Sequence, residues 1–165
     1  MINPKLTGGL QFCSTKQRVL KCTCILLGLN GGSQLRYTDD RQMGMFYYVS
    51  DHQLNEVPGL NDQGPDVLDD IDLEDFKSRF KEFHGEIKGI LTRGRVLSGI
   101  GNACADEIIF DTKVYPFKRC KQLSPDELRR IHHSAGQAIV DATLVVRDRM
   151  NSQLDHKLRD FLAGH

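Results

Sequence analysis

The sequence contains no apolar run close to the roughly 18 residues that a membrane-spanning helix needs. Residues 1–30 lack the successive charged, apolar and small-residue regions of a secretory signal peptide. The five cysteines are an odd number at irregular spacings, which argues against a disulfide framework and agrees with a reducing compartment. These absences predict a soluble, cytoplasmic protein that has no membrane partner.

An excess of charge of one sign is also lacking, because 22 basic and 22 acidic residues cancel over the whole chain. Within the chain, however, the two signs are separated. Asp62–Asp75 contains seven acidic residues and no basic one, whereas Lys77–Lys121 contains ten basic residues against five acidic ones. An anionic partner is therefore expected to prefer the second segment. The alternative, which charge alone leaves open, is the ordinary solvated face of helices.

The 165 residues leave room for one ordinary domain or two small ones, and the 39% of hydrophobic residues is enough for a core. Residues 1–62 are rich in β-prone runs, and Asn30-Gly31 between two such runs predicts a hairpin turn. The run "MFYYVS" predicts a further strand. Residues 63–71 cluster glycine, proline and aspartate, which predicts an acidic, turn-rich connector at the surface.

Helical periodicity follows the connector, over residues 72–150. An apolar stripe recurs at spacings of four, three, four and four, and predicts a helix that Asp70 or Asp72 caps and that Gly85 interrupts. The members of the stripe are Phe76, Phe80, Phe83, Ile87 and Leu91.

The clearest helix start is the sequence "LSPDEL". Ser124 is the predicted N-cap, Pro125 takes the first helical position, and Glu127 reaches back to complete a capping box. We expect this helix to run to about Met150. Residues 151–165 are expected to form a C-terminal helical tail.

The stretch "GIGNACADEIIF" has two glycines spaced as in a nucleotide-binding turn. A dinucleotide-binding loop needs a preceding strand and a third glycine three positions after Gly101, but a helical segment precedes this turn and Cys104 occupies that position. The turn instead places backbone N–H groups and the positive end of a helix dipole beside Asn102, which suits one phosphate group. The alternative is a helical hairpin whose glycines only allow close packing. Three basic residues lie nearby in the sequence: Lys88, Arg93 and Arg95.

Metal and histidine chemistry have weak support in the sequence. The Cys22–Cys24 pair has no second pair to complete the four ligands of a structural zinc site, so no metal site is expected. His132 and His133 are adjacent, so on a helix they point about 100° apart and make a poor metal pair. An enzyme that uses histidines would need the fold to bring together His84, His133 and Cys104.

The stretch "IKGILTRGRVLSGIGNACADEIIFDTKVYPFKRCKQLSPDEL" resembles the helix-two-turn-helix domain of the formamidopyrimidine-DNA glycosylase and endonuclease VIII family of base-excision-repair enzymes. The matching positions, in family order, are Lys88, Gly99-Ile100-Gly101-Asn102, Ala105-Asp106-Glu107, Pro116, Leu123-Ser124 and Glu127. Three earlier segments are also similar to parts of the family. "KLTGGLQF" is similar to its strand and turn in which a methionine precedes Thr-Gly, "YTDDRQMGMFYYV" to its Asp-Pro-Arg-Arg-Phe-Gly hairpin, and "VPGLNDQGPDVLDD" to its interdomain segment. The resemblance covers about residues 2 to 150. It implies an α+β fold in which a partial antiparallel β-sandwich precedes a mostly helical DNA-binding domain.

The resemblance also implies a partner, duplex DNA, bound through its phosphates and preferentially where it is damaged or abasic. A protein with this partner is expected to be associated with the bacterial nucleoid. The implied phosphate-binding residues are Lys88, Asn102, Gly101, Arg93, Arg95 and Asn3, the last at a position where the family usually has histidine.

A wedge that fills the gap left by a rotated-out nucleotide is implied at Leu6, Arg41 and Met43. Extruding a base costs a few kcal/mol of stacking, part of which an apolar plug and an arginine recover. Met43 replaces a flat ring and Gln42 an arginine, so weaker reading of the opposite base is expected. Ordinary core packing is the alternative for Leu6 and Met43.

The family's reaction removes oxidised purines and cleaves the abasic site, and its nucleophile is an amino-terminal proline aided by a glutamate. This chain opens Met1-Ile2, and the nitrogen of Pro4 is an amide, which cannot act as that nucleophile. We therefore expect these residues to bind DNA and to be inactive as an enzyme by themselves. The family's four-cysteine zinc finger has no counterpart either, so no cofactor is expected in this chain. The alternative function is an inactive helical module for protein interaction.

A first half that begins within a strand is expected to leave an unpaired sheet edge. Exposed apolar residues are expected around Leu10, Val19 and Ile25. Low solubility, or self-association through this edge, is the expected result.

Overall fold

The computed structural model describes residues 1–151. They form two compact units, residues 1–57 together with residues 146–151, and residues 58–145. The strands of the described chain all lie in the first unit, and most of its helical residues lie in the second. The expected α+β class is confirmed. No helix within residues 1–151 is long and apolar enough to cross a membrane.

The first unit contains two small antiparallel sheets. A three-stranded sheet has the order β2 (Gly8–Ser14), β4 (Ser33–Asp39), β3 (Thr23–Leu29), and a two-stranded sheet pairs β1 (Ile2–Asn3) with β5 (Met45–Phe46). The predicted hairpin turn joins β3 to β4, where Leu29 pairs with Ser33 and Gly31 has a φ of 82°. Glycine is favoured there because side chains disfavour positive φ.

The strand predicted from "MFYYVS" is shorter than expected. β5 ends at Phe46 because its partner β1 has only two residues, and the N–H of Tyr47 then donates to the carbonyl of Met1 at 2.9 Å. The side chain of Tyr48 is 95% exposed. A 3-10 helix, Asp51–Glu56, follows.

The three-stranded sheet exposes apolar side chains. Leu10 on β2 and Val19 are about half exposed, whereas Ile25 on β3 is partly buried. Further exposed apolar side chains on this sheet are Phe12, Leu26, Leu27 and Leu29. Self-association through this surface stays a prediction.

Four helices are described: α1 (Leu73–Lys81), α2 (Ile87–Leu91), α3 (Asn102–Thr112) and α4 (Pro125–Met150). The apolar stripe predicted as one interrupted helix forms α1 and α2, with Gly85 at a φ of 133° between them. Asp72, not Asp70, caps α1, and its carboxylate accepts hydrogen bonds from the N–H groups of Glu74 and Asp75 at 2.8 and 2.9 Å. Such a cap contributes about 1 kcal/mol.

The capping box predicted for α4 is confirmed. Glu127 N–H donates to the Ser124 hydroxyl at 3.1 Å, and Ser124 N–H donates to the Glu127 carboxylate at 2.7 Å. Lys118 Nζ lies 2.7 Å from the same carboxylate. The hydrogen bonds from Lys118 and from Ser124 N–H lower the pKa of Glu127. The start of α4 is thereby tied to the segment that precedes it.

The core of the second unit joins all four helices. The stripe is buried as expected, with Phe83 only partly so. The side chains that are fully buried include Phe76, Ile87, Ile90, Leu91, Ile108 and Ile131. At about 25 cal/mol per Å² of apolar area, their burial is the main stabilising contribution to this unit.

The connector packs beside the segment that leads to α3. Gly64 N–H donates to Gly94 O at 2.8 Å, and Ser98 N–H donates to Pro65 O at 2.8 Å. Val67, itself buried, donates its N–H to Ser98 O at 3.1 Å. The connector therefore forms a wall of the turn that precedes α3.

Candidate nucleic-acid interface

The turn before α3 contains one glycine that the fold requires. Gly99 has a φ of 90°, and a Cβ added there would lie 3.3 Å from Val67 Cγ1. The next residue, Ile100, is buried in the core of the second unit. The positive φ, which glycine adopts without strain, and the buried side chain of Ile100 together favour one conformation of the turn.

The second glycine of the turn has a different position. Gly101 is the N-cap of α3, with φ −90° and ψ 176°, a conformation open to any residue. A Cβ added there would meet nothing within 4 Å. No side chain caps α3 and no acidic residue lies in its first turn. The first N–H groups of α3 and its positive dipole end are therefore accessible to an anion.

Lys88 is held beside the same end of α3. Its Nζ lies 2.6 Å from Oδ1 and 2.9 Å from Oδ2 of Asp106. Asp106 follows Asn102 by four residues, so the two share a face of α3. The ammonium group is thus placed over the face that begins with Asn102. Both ion-pair side chains are more than a third exposed, and an exposed pair is worth only about 0–1 kcal/mol, so a phosphate can compete for the lysine.

The two arginines of the turn have different neighbours. Arg95 Nη2 lies 3.4 Å from Asp62 Oδ2, in an exposed and weak pair. Arg93 instead lines a groove with Gly89 and Arg119. The predicted phosphate-binding residues of the second unit therefore form one cluster at α3, of Lys88, Gly101 and Asn102, and two arginines outside it.

The remaining predicted site residues lie in the first unit. Asn3 is on β1 opposite Met45, and its side-chain oxygen accepts the N–H of Lys5 at 3.4 Å. Leu6 and Met43 are 67% and 49% exposed. They therefore do not belong to the core of this unit, which was the alternative for both.

Asp39 organises the turns that carry these exposed side chains. Its carboxylate, itself buried, accepts a hydrogen bond from the Thr7 hydroxyl, from Gly44 N–H at 2.7 Å and from Arg41 N–H at 3.3 Å. The Tyr37 hydroxyl donates to it at 3.2 Å. The Thr7 hydroxyl and the Gly44 N–H, the two largest causes, lower the pKa of Asp39 to about 2.

The Asp39 carboxylate therefore hydrogen-bonds to both turns, the one that contains Leu6 and the one that contains Arg41 and Met43. Asp39 is a site residue that the sequence pattern does not single out. The available signal was an aspartate at a strand end directly before a turn, a position where aspartate often accepts backbone N–H groups.

The histidines and cysteines of residues 1–151 are not arranged as a metal site. No group of three histidine, cysteine, aspartate or glutamate side chains there is placed to hold a metal ion. Burial raises the pKa of the Cys104 and Cys120 thiols, which disfavours the reactive thiolate. The ring of His132 packs against that of Phe76, and its Nε2 lies 2.7 Å from Ile71 O. His84 lines the same groove as Arg93.

Residues 64–153 match the family model described as the formamidopyrimidine-DNA glycosylase H2TH domain. A formamidopyrimidine-DNA glycosylase of Oceanobacillus iheyensis is 31% identical over 157 residues, which cover 92% of this chain and 56% of the relative. Another, of Pelotomaculum thermopropionicum, is 24% identical over 168 residues, covering 99% of this chain and 57% of the relative. The chain thus spans little more than half the length of these relatives.

Solved structures show the same fold. The chain is similar to the MutM (Fpg) protein of Thermus thermophilus, with a TM-score of 0.79 at 25% identity over 97% of this chain and 55% of that one. It is also similar to Lactococcus lactis Fpg in a complex with DNA that contains an abasic site, with a TM-score of 0.76 at 21% identity over 87% of this chain and 53% of that one.

Proposed function

Because the chain belongs to the formamidopyrimidine-DNA glycosylase family, we propose that its helical unit binds duplex DNA by the phosphates, at the amino-terminal end of α3. Lys88 supplies the positive charge, and the N–H groups at Gly101 and Asn102 donate hydrogen bonds to one phosphate. Arg95 and Asn3 add further phosphate contacts. The partner of this family member is DNA that is damaged or abasic.

The observation that carries this proposal is the open N-terminus of α3. Nothing that the structure describes around Gly101 demands a glycine, since its φ is ordinary and a Cβ would meet no neighbour. A ligand that approaches the backbone closely does demand one. A phosphate is such a ligand, and Lys88 already lies over the adjacent face.

We also propose that Leu6, Arg41 and Met43 fill the gap in a duplex from which a nucleotide has rotated out. Two of these are exposed apolar side chains, which cost little to move into a base stack. Asp39 keeps the two turns that carry them together. An abasic site lacks the base that opposes insertion, so it is the duplex that these side chains favour.

We also propose that the residues of this chain bind DNA but do not carry out the family's reaction by themselves. The 165 residues supply DNA binding, and the amine nucleophile that attacks the sugar of an oxidised purine nucleotide is not among them, since the nitrogen of Pro4 is an amide. Incubation with a lesion-containing duplex is expected to give neither base release nor a borohydride-stable adduct. Either product from these residues alone would overturn the proposal that they lack the nucleophile.

Fluorescence anisotropy tests the binding. The chain is titrated with a duplex containing a tetrahydrofuran abasic analogue, and with the undamaged duplex, at two salt concentrations. Each neutralised phosphate contributes about 0.9 to the slope of log affinity against log salt. We expect salt-dependent binding that favours the abasic duplex and that Lys88→Ala with Asn102→Ala weakens. Unchanged affinity in this double variant would favour the alternative, a helical module for protein interaction.

A further inference from the structure

A second basic surface lies on the helical unit, apart from Lys88 and Asn102. It is a groove of about 580 Å³. Its lining residues are His84, Gly85, Glu86, Gly89, Arg93, Arg119 and Lys121. We call it the basic groove, because one carboxylate in this lining faces three arginine or lysine side chains and a histidine.

The walls of the basic groove are joined by their main chains. Ile87 N–H donates to Lys118 O at 2.9 Å, and Cys120 N–H donates to Gly85 O at 2.9 Å. These bonds form an antiparallel bridge between Glu86 and Arg119. The groove is therefore shaped by backbone hydrogen bonds and does not need the side chains of Arg119 and Lys121 for its shape.

The cations of the basic groove outnumber its one carboxylate, Glu86. Within residues 1–151 no ion pair involves Arg93, Arg119 or Lys121, whereas neighbouring lysines such as Lys118 are paired at 2.7 Å. Lys118 and Arg119 are adjacent, yet the first is partly buried against Glu127 and the second is exposed. Uncompensated cations grouped in a concave surface attract a polyanion.

Two further features fit a phosphodiester backbone. Gly89 lies in the lining, and a Cβ added there would meet nothing within 4 Å, so a ligand can approach the backbone of α2. Lys121 also lines a neighbouring apolar depression together with Lys81, which extends the row of positive charge. A row of cations matches the regular spacing of phosphates along a strand.

We propose that the basic groove binds phosphates of duplex DNA outside the lesion, as a second contact with the nucleic acid. On α2, Gly89 follows Lys88 by one residue, which turns it about 100° from the lysine. The groove and the α3 terminus therefore contact different phosphates. The groove contributes affinity for any duplex, and the α3 terminus with the wedge contributes the preference for an abasic site.

A charge-matched pair of variants tests this inference by anisotropy. Arg119→Ala with Lys121→Ala is expected to lower the salt slope by up to about 1.8, since each lost phosphate contact removes about 0.9. Affinity for abasic and undamaged duplexes is expected to fall by the same factor. The control, Lys16→Ala with Arg129→Ala, removes the same charge from exposed positions outside the groove. Equal effects of the two double variants would overturn the inference.

An amide chemical-shift titration with the undamaged duplex separates this inference from the proposed function. The reporters are Gly85, Gly89 and Lys121 for the groove, and Gly101 and Asn102 for the α3 terminus. Shifts in both sets support both proposals. Shifts in the groove alone support the inference while the α3 site fails, and an unmoved groove overturns the inference whatever happens at α3.

Discussion

Lys88 and Asp106 form an ion pair between α2 and α3, with Nζ 2.6 Å from Oδ1. The pair fixes the lysine over the face of α3 that begins with Asn102. It also places a carboxylate beside the proposed phosphate site. The same aspartate therefore positions the lysine and opposes the anion.

Asp106→Asn is expected to raise the affinity for duplex DNA. It releases Lys88 from its partner and removes a negative charge from the site. An exposed pair is worth up to about 1 kcal/mol, so the gain is up to about five-fold. Asp126→Asn is the matched control, because Asp126 pairs with Arg129 at 3.0 Å at the start of α4. Anisotropy measures both, and equal affinities would contradict the prediction.

The two glycines of the α3 turn are expected to respond differently to alanine. Gly101→Ala should change the free energy of unfolding by less than about 1 kcal/mol, because φ is ordinary and a Cβ has room. It should nevertheless weaken DNA binding several-fold, because the methyl group occupies the approach of the phosphate. Gly99→Ala should destabilise by about 1–2 kcal/mol, since its φ is 90°.

Urea denaturation and anisotropy together separate the two effects. Full DNA affinity in Gly101→Ala would show that no ligand approaches this backbone closely. That result would contradict the phosphate site while leaving the fold description intact.

Stability of the first unit is expected to fall in acid because of Asp39. Its pKa is about 2 in the folded protein and about 3.8 ordinarily. A lowered pKa contributes stability that is present above the ordinary value and is lost as the pH falls towards the folded one. The loss should therefore occur between about pH 4 and pH 2.

Asp39→Asn tests the origin of this acid sensitivity. The asparagine variant should be less stable at neutral pH, because a charged acceptor of several hydrogen bonds is replaced by a neutral one. Its stability should vary less between pH 4 and pH 2 than that of the parent. Amide shifts of Arg41 and Gly44, followed against pH, report on this carboxylate directly. A transition in the variant as steep as in the parent would assign the acid loss to other carboxylates.

The wedge is expected to act on lesion preference and not on stability. Leu6→Ala with Met43→Ala removes two exposed apolar side chains, so the free energy of unfolding should change by less than about 1 kcal/mol. The ratio of affinities for abasic and undamaged duplex should fall several-fold. Leu10→Ala with Leu27→Ala removes comparable exposed side chains from β2 and β3 and should leave this ratio unchanged. The same loss of preference in both variants would contradict a specific wedge.

Features that depend on a few adjacent residues could be predicted from the sequence. The capping box of Ser124 and Glu127 and the hairpin turn at Gly31 depend on local hydrogen bonds and on local φ preferences. The apolar stripe correctly predicted the buried face of α1 and α2, because burial follows helical periodicity.

Features that depend on contacts between distant residues could not be predicted from local pattern. Asp39 and Thr7 are 32 residues apart, and Lys88 and Asp106 are 18 apart. Arg93 is close to Lys88 in the chain, whereas in the fold it lines the basic groove with Arg119 and Lys121. Tertiary pairing decides these positions, and no window of local sequence contains it.

The connector determines where a fragment that contains only the helical unit can begin. Gly64, Pro65 and Val67 supply the main-chain partners of residues 94–98. A Cβ on Gly64 would lie 2.4 Å from Arg95 O, so this contact is close-fitting. A fragment cut at residue 72, where the first helix is capped, would lose one side of the turn that presents Gly101. A fragment that starts at Pro58 retains both the turn and its support.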